Sequence, residues 1–148
     1  MNRRGLILAL AAAGAALAQP GGAEPFADGT WTLLRLTDAR GTVTPQGPDA
    51  PTLTLVGTRV STAEGTQVSG NTGCNRFVGR GVFTANTVRL GPLATTRRAC
   101  ASEAAGQQET AYLGLLGQVR RYRVSGSMLT LILADGSERT FARPVNGG

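Results

Sequence analysis

"SGNTGCNRFVGRGVF", Ser69 to Phe83, sets four glycines, a cysteine and two arginines among strand-forming residues. Under period-two alternation Phe77, Gly79, Gly81 and Phe83 share one face, with Val78, Arg80 and Val82 on the other. Glycines between two phenylalanines predict a strand that bends sharply or passes close to another backbone. That favours a curved sheet or a partial barrel. A phosphate-cradling loop is excluded, because the stretch has no Gly-Lys-Ser/Thr element and runs into a strand pattern rather than a helix.

Outward from this stretch the strand signals continue. "GTWTLLRLT", 29–37, reads as a strand with Trp31 and Leu33 on one side and Leu34 and Leu36 on the other. "DARGTVTPQGPDAP", 38–51, is rich in Pro, Gly and Asp and reads as a loop. Short strands are expected at 52–57, 59–62, 66–70, 76–84 and 87–93. "SEAAGQQETAYLGLLGQV", Ser102 to Val119, is the one helical pattern, with an apolar stripe interrupted by Gln108, a Ser102 cap and Gly117 as a stop. After it, "RYRVSGSMLTLILADGSERTFAR" predicts three strands, broken at Ser125-Gly126-Ser127 and at a two-residue Asp135-Gly136 turn whose centres both take positive φ. The expected fold class is α+β: a sheet-dominated, curved antiparallel β-sheet approaching a partial barrel with one packed α-helix.

The chain opens "MNRRGLILALAAAGAALAQP", with a charged start, an apolar run and an Ala-Leu-Ala end, which is the pattern of a cleavable secretory leader. The run is short for a membrane span, which needs roughly 20 apolar residues. The expected organisation is a signal peptide over 1–18, a linker over 19–28, one domain over 29–143 and a tail over 144–148. The localisation expected from the leader is periplasmic or secreted.

All fifteen basic residues are arginine, and the chain has no lysine and no histidine. Loss of the leader leaves thirteen arginines against nine acids. A Ser-His-Asp or Cys-His arrangement, a lysine Schiff base and a lysine-bearing phosphate loop are therefore excluded. Two cysteines and scattered carboxylates make a poor zinc set, so neither a metal nor a cofactor is expected. Cys74 and Cys100 stand 26 positions apart. In an oxidising compartment they read most simply as a disulfide, with a redox-active pair or free thiols as the alternatives. Closing that loop would stabilise the fold by roughly 3–4 kcal/mol on the chain-entropy account.

"VSGNTGCNRFVGRGVF", then "LGPLATTRRAC", the helix and the closing "YRVSGSMLTLILADGSERTFAR" together resemble the META domain family, which includes the heat-shock protein HslJ. The likeness runs from about Gly29 to Arg143. It implies a small curved antiparallel sheet with one helix, an association with the bacterial envelope and stress responses, and no established reaction. Carried over residue by residue, the signature comprises Gly73, Cys74, Asn75, Arg76, Phe77 and Gly79, then Thr96, Arg97 and Cys100. Arg98 stands where relatives usually carry methionine, and no lipobox cysteine follows the leader.

On this reading the glycines shape the turn, Cys74 ties it to the segment before the helix, and Phe77 points inward. Asn75 tolerates a left-handed backbone or bonds its own main chain. Arg76 and Arg97 either serve unpaired loop carbonyls or form an exposed anion-binding pair. The expected function is a non-enzymatic envelope-stress or binding module. The alternatives are a thiol–disulfide sensor using Cys74 and Cys100, and a binder of anionic envelope components through Arg97, Arg98, Arg120, Arg121 and Arg123. The sequence names no particular partner; an envelope protein or an anionic envelope component is the expected kind, with no nucleic acid, no membrane span after leader removal and a monomeric state.

Overall fold

The computed structural model describes residues 27–38, 41–45, 49–58 and 65–144. The leader over 1–18, the strand expected at 59–62 and the tail beyond Pro144 lie outside the described residues. The elements are β1 (Gly29–Leu33), β2 (Leu36–Asp38), β3 (Gly41–Val43), β4 (Thr52–Val56), β5 (Thr66–Asn71), β6 (Arg76–Phe83), β7 (Val88–Thr95), α1 (Glu103–Gly117), β8 (Val119–Ser125), β9 (Met128–Leu133) and β10 (Glu138–Ala142).

Eight strands form one antiparallel sheet in the order β7-β6-β5-β4-β1-β10-β9-β8, and β2 pairs only with β3. The sheet curves until its two edges meet at one end. There Thr87 bridges Arg121, and the Tyr122 N–H donates to the Asn86 carbonyl at 3.2 Å.

Alternation along the strands turns Trp31, Leu33, Leu53, Leu55, Val68, Phe77, Phe83 and Phe141 into the concave side. α1 covers that side with Tyr112, Leu115 and Leu116. Each of these large side chains contributes roughly 1.5–3 kcal/mol through burial. The Phe77 and Tyr112 rings meet edge to face, 5.9 Å between centroids.

β6 has the close approach that its glycines predict. A Cβ on Gly79 would stand 2.5 Å from the Pro92 carbonyl oxygen of β7. On β7 itself the pairing slips between Leu90 and Leu93, so that one extra residue bends the edge strand at Gly91-Pro92.

Four details differ from the sequence expectation. The strand expected over 29–37 breaks at Leu34 and Arg35, which places Leu36 in the core on β2. Within the expected loop, Gly41–Val43 pairs with β2 as β3, with the Thr37 and Thr42 hydroxyls 3.0 Å apart. The helix stops at Gly117, and Val119 is instead a fully buried first residue of β8. The Asp135-Gly136 turn is a three-residue connection, Ala134 to Gly136, in which only Gly136 takes positive φ. A three-residue loop needs positive φ only at its last position, so Asp135 keeps an ordinary backbone, and its carboxylate accepts the Ser137 N–H and hydroxyl.

Candidate functional site

The four-residue turn between β5 and β6, Thr72 to Asn75, forms around one hydroxyl. Thr72 Oγ1 accepts the N–H groups of Cys74 at 3.1 Å and Asn75 at 2.9 Å, and the Thr72 N–H closes the turn on the Asn75 carbonyl. Asn71 Oδ1 takes the Gly73 N–H at 2.7 Å. Gly73 has φ +94°, and a Cβ there would lie 2.5 Å from the Asp49 carbonyl oxygen. Only glycine combines that conformation with that proximity.

Asn75 is buried and has no positive φ, so the expected left-handed backbone is absent. Its side chain reaches across to other segments rather than to its own main chain. Oδ1 accepts the Arg98 N–H at 2.8 Å and the Thr96 hydroxyl at 3.0 Å. Nδ2 donates to the Arg98 carbonyl at 3.1 Å, to Glu109 Oε1 at 3.1 Å and to Cys74 Sγ at 3.3 Å.

α1 closes the site from above. Ser102 caps it as expected, accepting the Ala105 N–H at 3.1 Å. One turn further, Gln108 Nε2 donates to the Asp49 and Thr72 carbonyls, both at 2.8 Å, and Glu109 Oε2 accepts the Thr72 hydroxyl at 2.6 Å. Tyr112 donates to the Thr52 carbonyl at 2.8 Å, and burial holds its phenol well above its ordinary pKa.

Cys74 and Cys100 stand at disulfide distance, with sulfurs 2.03 Å apart and Cα atoms 5.3 Å apart. Glu109 places a carboxylate oxygen within 4.8 Å of both sulfurs. Joined to each other, those sulfurs offer no thiolate to a metal.

The structure thus brings together Gly73, Cys74, Asn75, Thr96 and Cys100, with Phe77 and Gly79 set in the adjacent β6. It leaves Arg76 and Arg97 outside. Both are exposed, and neither guanidinium bonds a described residue. Of the two roles the sequence leaves open for them, service to loop carbonyls is not seen among the described residues, and the Arg98 carbonyl is taken by the Asn75 amide. Arg98 is exposed as well. The wider basic set is also divided: Arg120 donates to the Gly117 carbonyl at the end of α1 and to the Val119 carbonyl at the start of β8, and Arg123 forms a two-pronged ion pair with Glu138.

Thr72, Gln108 and Glu109 are members of the site that sequence reasoning missed. The visible signal was Gln108, a polar residue in the middle of an otherwise apolar helix stripe. Beside the cluster lies an open depression of about 780 Å³, lined by Leu93, Thr96, Arg97, Arg98, Glu109 and Leu113 among others.

These features define a class: a one-helix, curved-sheet domain whose β5–β6 turn is locked to the segment before its helix by a disulfide and a buried asparagine. The profile of the META domain family matches residues 24–146, and the chain belongs to that family. A protein from Burkholderia xenovorans, solved by NMR, is 30% identical over 80% of this chain and 83% of its own, with a TM-score of 0.60. A second NMR structure, 22% identical over 80% of this chain and 92% of its own, shares the fold with a TM-score of 0.52. No curated protein matches the chain. Among the described residues no helix is long and apolar enough to cross a membrane.

Proposed function

We propose that this META domain protein is a periplasmic or secreted, non-enzymatic module that binds an envelope component and serves in envelope stress. One observation carries the reading. At the site the family signature marks, the chemistry-bearing side chains are engaged with one another: Asn75 with Thr96, Arg98 and Glu109, Thr72 with Glu109, Cys74 with Cys100. A catalytic group must instead face a substrate within hydrogen-bond reach. The site serves as a clamp, and binding falls to the surface around it.

The extracytoplasmic placement rests on the leader pattern and on a cysteine pair at disulfide distance, which persists in an oxidising compartment. Cell fractionation with intact-mass analysis tests it. The expected species is extracytoplasmic, lacks residues 1–18 and is lighter by two hydrogens than the dithiol. A full-length dithiol in the cytoplasm overturns the placement. A hydrolytic or transfer activity lost in Glu109→Gln overturns the non-enzymatic part.

A second reading, thiol–disulfide exchange, is favoured by one contact: the Asn75 Nδ2–H on Cys74 Sγ would support a thiolate there. Equilibration in redox buffers followed by alkylation separates the two. A potential below roughly −300 mV marks a structural bridge, and opening near about −200 mV without unfolding favours exchange.

A further inference from the structure

Between Glu64 and Glu103 the sequence holds five arginines, Arg76, Arg80, Arg89, Arg97 and Arg98, and no acid. Along the chain they are scattered. In the fold three of them, Arg76, Arg80 and Arg89, come to one exposed face of β6 and β7. β6 presents Arg76, Val78, Arg80 and Val82 in succession on its convex face, all exposed. Across the strand pair Val82 stands opposite Arg89, and Val78 opposite Ala94. Arg97 and Arg98 follow the end of β7 and line the depression beside Glu109 and Leu113 of α1, apart from this face.

The apolar members are as notable as the cations. Val78 and Val82 are 59% and 57% exposed, and Val56, two strands away, is 53% exposed. α1 lies on the concave side, so no described element covers this face. The guanidinium groups of Arg76, Arg89 and Arg97 have no hydrogen-bond or ion-pair partner among the described residues.

The geometry points to the surface of an anionic lipid bilayer as the occupant of this convex face. Guanidinium groups meet phosphate in two-pronged, charge-assisted hydrogen bonds. On a strand, side chains on one face recur about every 6.6 Å, so β6 presents cations in a row with valines between them along the crest of the convex face. Such a row matches headgroups over an acyl boundary. A soluble acidic polymer would engage the arginines and leave the valines in water. The inference deepens the binding-module reading and rests on it only for where the chain meets lipid.

The test is partitioning of the oxidised protein onto vesicles of phosphatidylglycerol and phosphatidylcholine, with pure phosphatidylcholine vesicles and soluble polyphosphate as comparisons. Arg76→Gln with Arg89→Gln should weaken partitioning about thirtyfold, and salt should weaken the wild type. Val78→Ser with Val82→Ser should weaken it severalfold while leaving polyphosphate binding unchanged. Arg35→Gln, away from this face, should change it little. All these positions are exposed, and an unchanged thermal midpoint confirms that each variant folds. Equal partitioning onto phosphatidylcholine, wild-type behaviour of the double arginine variant, or full retention by the valine variant would each overturn the proposal. None of those results would alter the mass and fractionation outcome, so the two readings fail separately.

Discussion

Asn75 and Arg76 are joined by one peptide bond and belong to two regions with opposite physics. Asn75 lies 3% exposed at the centre of a clamp in which its amide serves Thr96, Arg98, Glu109 and Cys74. Arg76 opens a convex face on which its own guanidinium and the valines Val78 and Val82 are exposed. A buried amide without partners costs free energy, so the first region is constrained to one arrangement. The second is free of that constraint and available to a ligand. Both residues belong to the signature that the sequence resemblance carries over, so membership of such a signature does not tell a structural residue from a surface one. Burial and hydrogen-bond partners do.

The largest effect should come from breaking the clamp. Asn75→Ala removes the partner of the Arg98 N–H and of a Glu109 oxygen and leaves the Thr96 hydroxyl only the Arg76 carbonyl as acceptor, and should cost about 3 kcal/mol in urea unfolding. A loss under about 1 kcal/mol would mean that water replaces the amide and that the clamp is not the organising contact.

Tyr112→Phe should cost about 1 kcal/mol, since it removes the bond to the Thr52 carbonyl but keeps the ring in the core. It also carries a pH signature. Burial raises the Tyr112 pKa in the folded state, so its contribution is complete below the ordinary tyrosine value of about 10 and is lost as pH rises beyond it. Alkaline unfolding curves of wild type and Tyr112→Phe should therefore converge, and parallel curves would show that the phenol ionises without unfolding the chain.

On the other side of the comparison, Arg76→Gln should move stability by no more than about 0.5 kcal/mol, as for an exposed side chain without partners. A larger loss would place Arg76 in the clamp and erase the contrast with Asn75.

The smallest effect is expected at Glu138. Hydrogen bonds and then the charge of Arg123 hold its carboxylate below the ordinary value, though both side chains are about half exposed. A carboxylate lowered in this way stabilises the fold above its unfolded pKa, and the gain disappears as pH falls through the folded value. Glu138→Gln should show a slight deficit at neutral pH that closes on acidification, measured by thermal melts across that range. A constant deficit would point to packing rather than charge.

Much of this architecture was legible before folding was considered, because local physics writes it into short stretches. Period-two alternation marks β4 to β7 and places Phe77 and Phe83 inward, and Ser102 announces the start of α1. The β2–β3 hairpin was not legible, since its pairing joins three-residue pieces that carry no pattern of their own. The Asp135-Gly136 turn was misread for a related reason: loop length follows from the register of β9 against β10, which two residues do not encode.

The sequence by itself determined the class of the fold, the family, the exclusion of histidine and lysine chemistry, and the two cysteines that could pair. Tertiary structure alone decided which polar residues meet. Thr72 and Glu109 are 37 positions apart, and Asn75 and Arg98 are 23 apart. Only the curvature of the sheet and the docking of α1 bring their hydrogen-bonding atoms within 3 Å. The same folding brought Arg76, Arg80 and Arg89 onto one face of β6 and β7, because alternation assigns a side chain to a face while strand pairing decides its neighbours there.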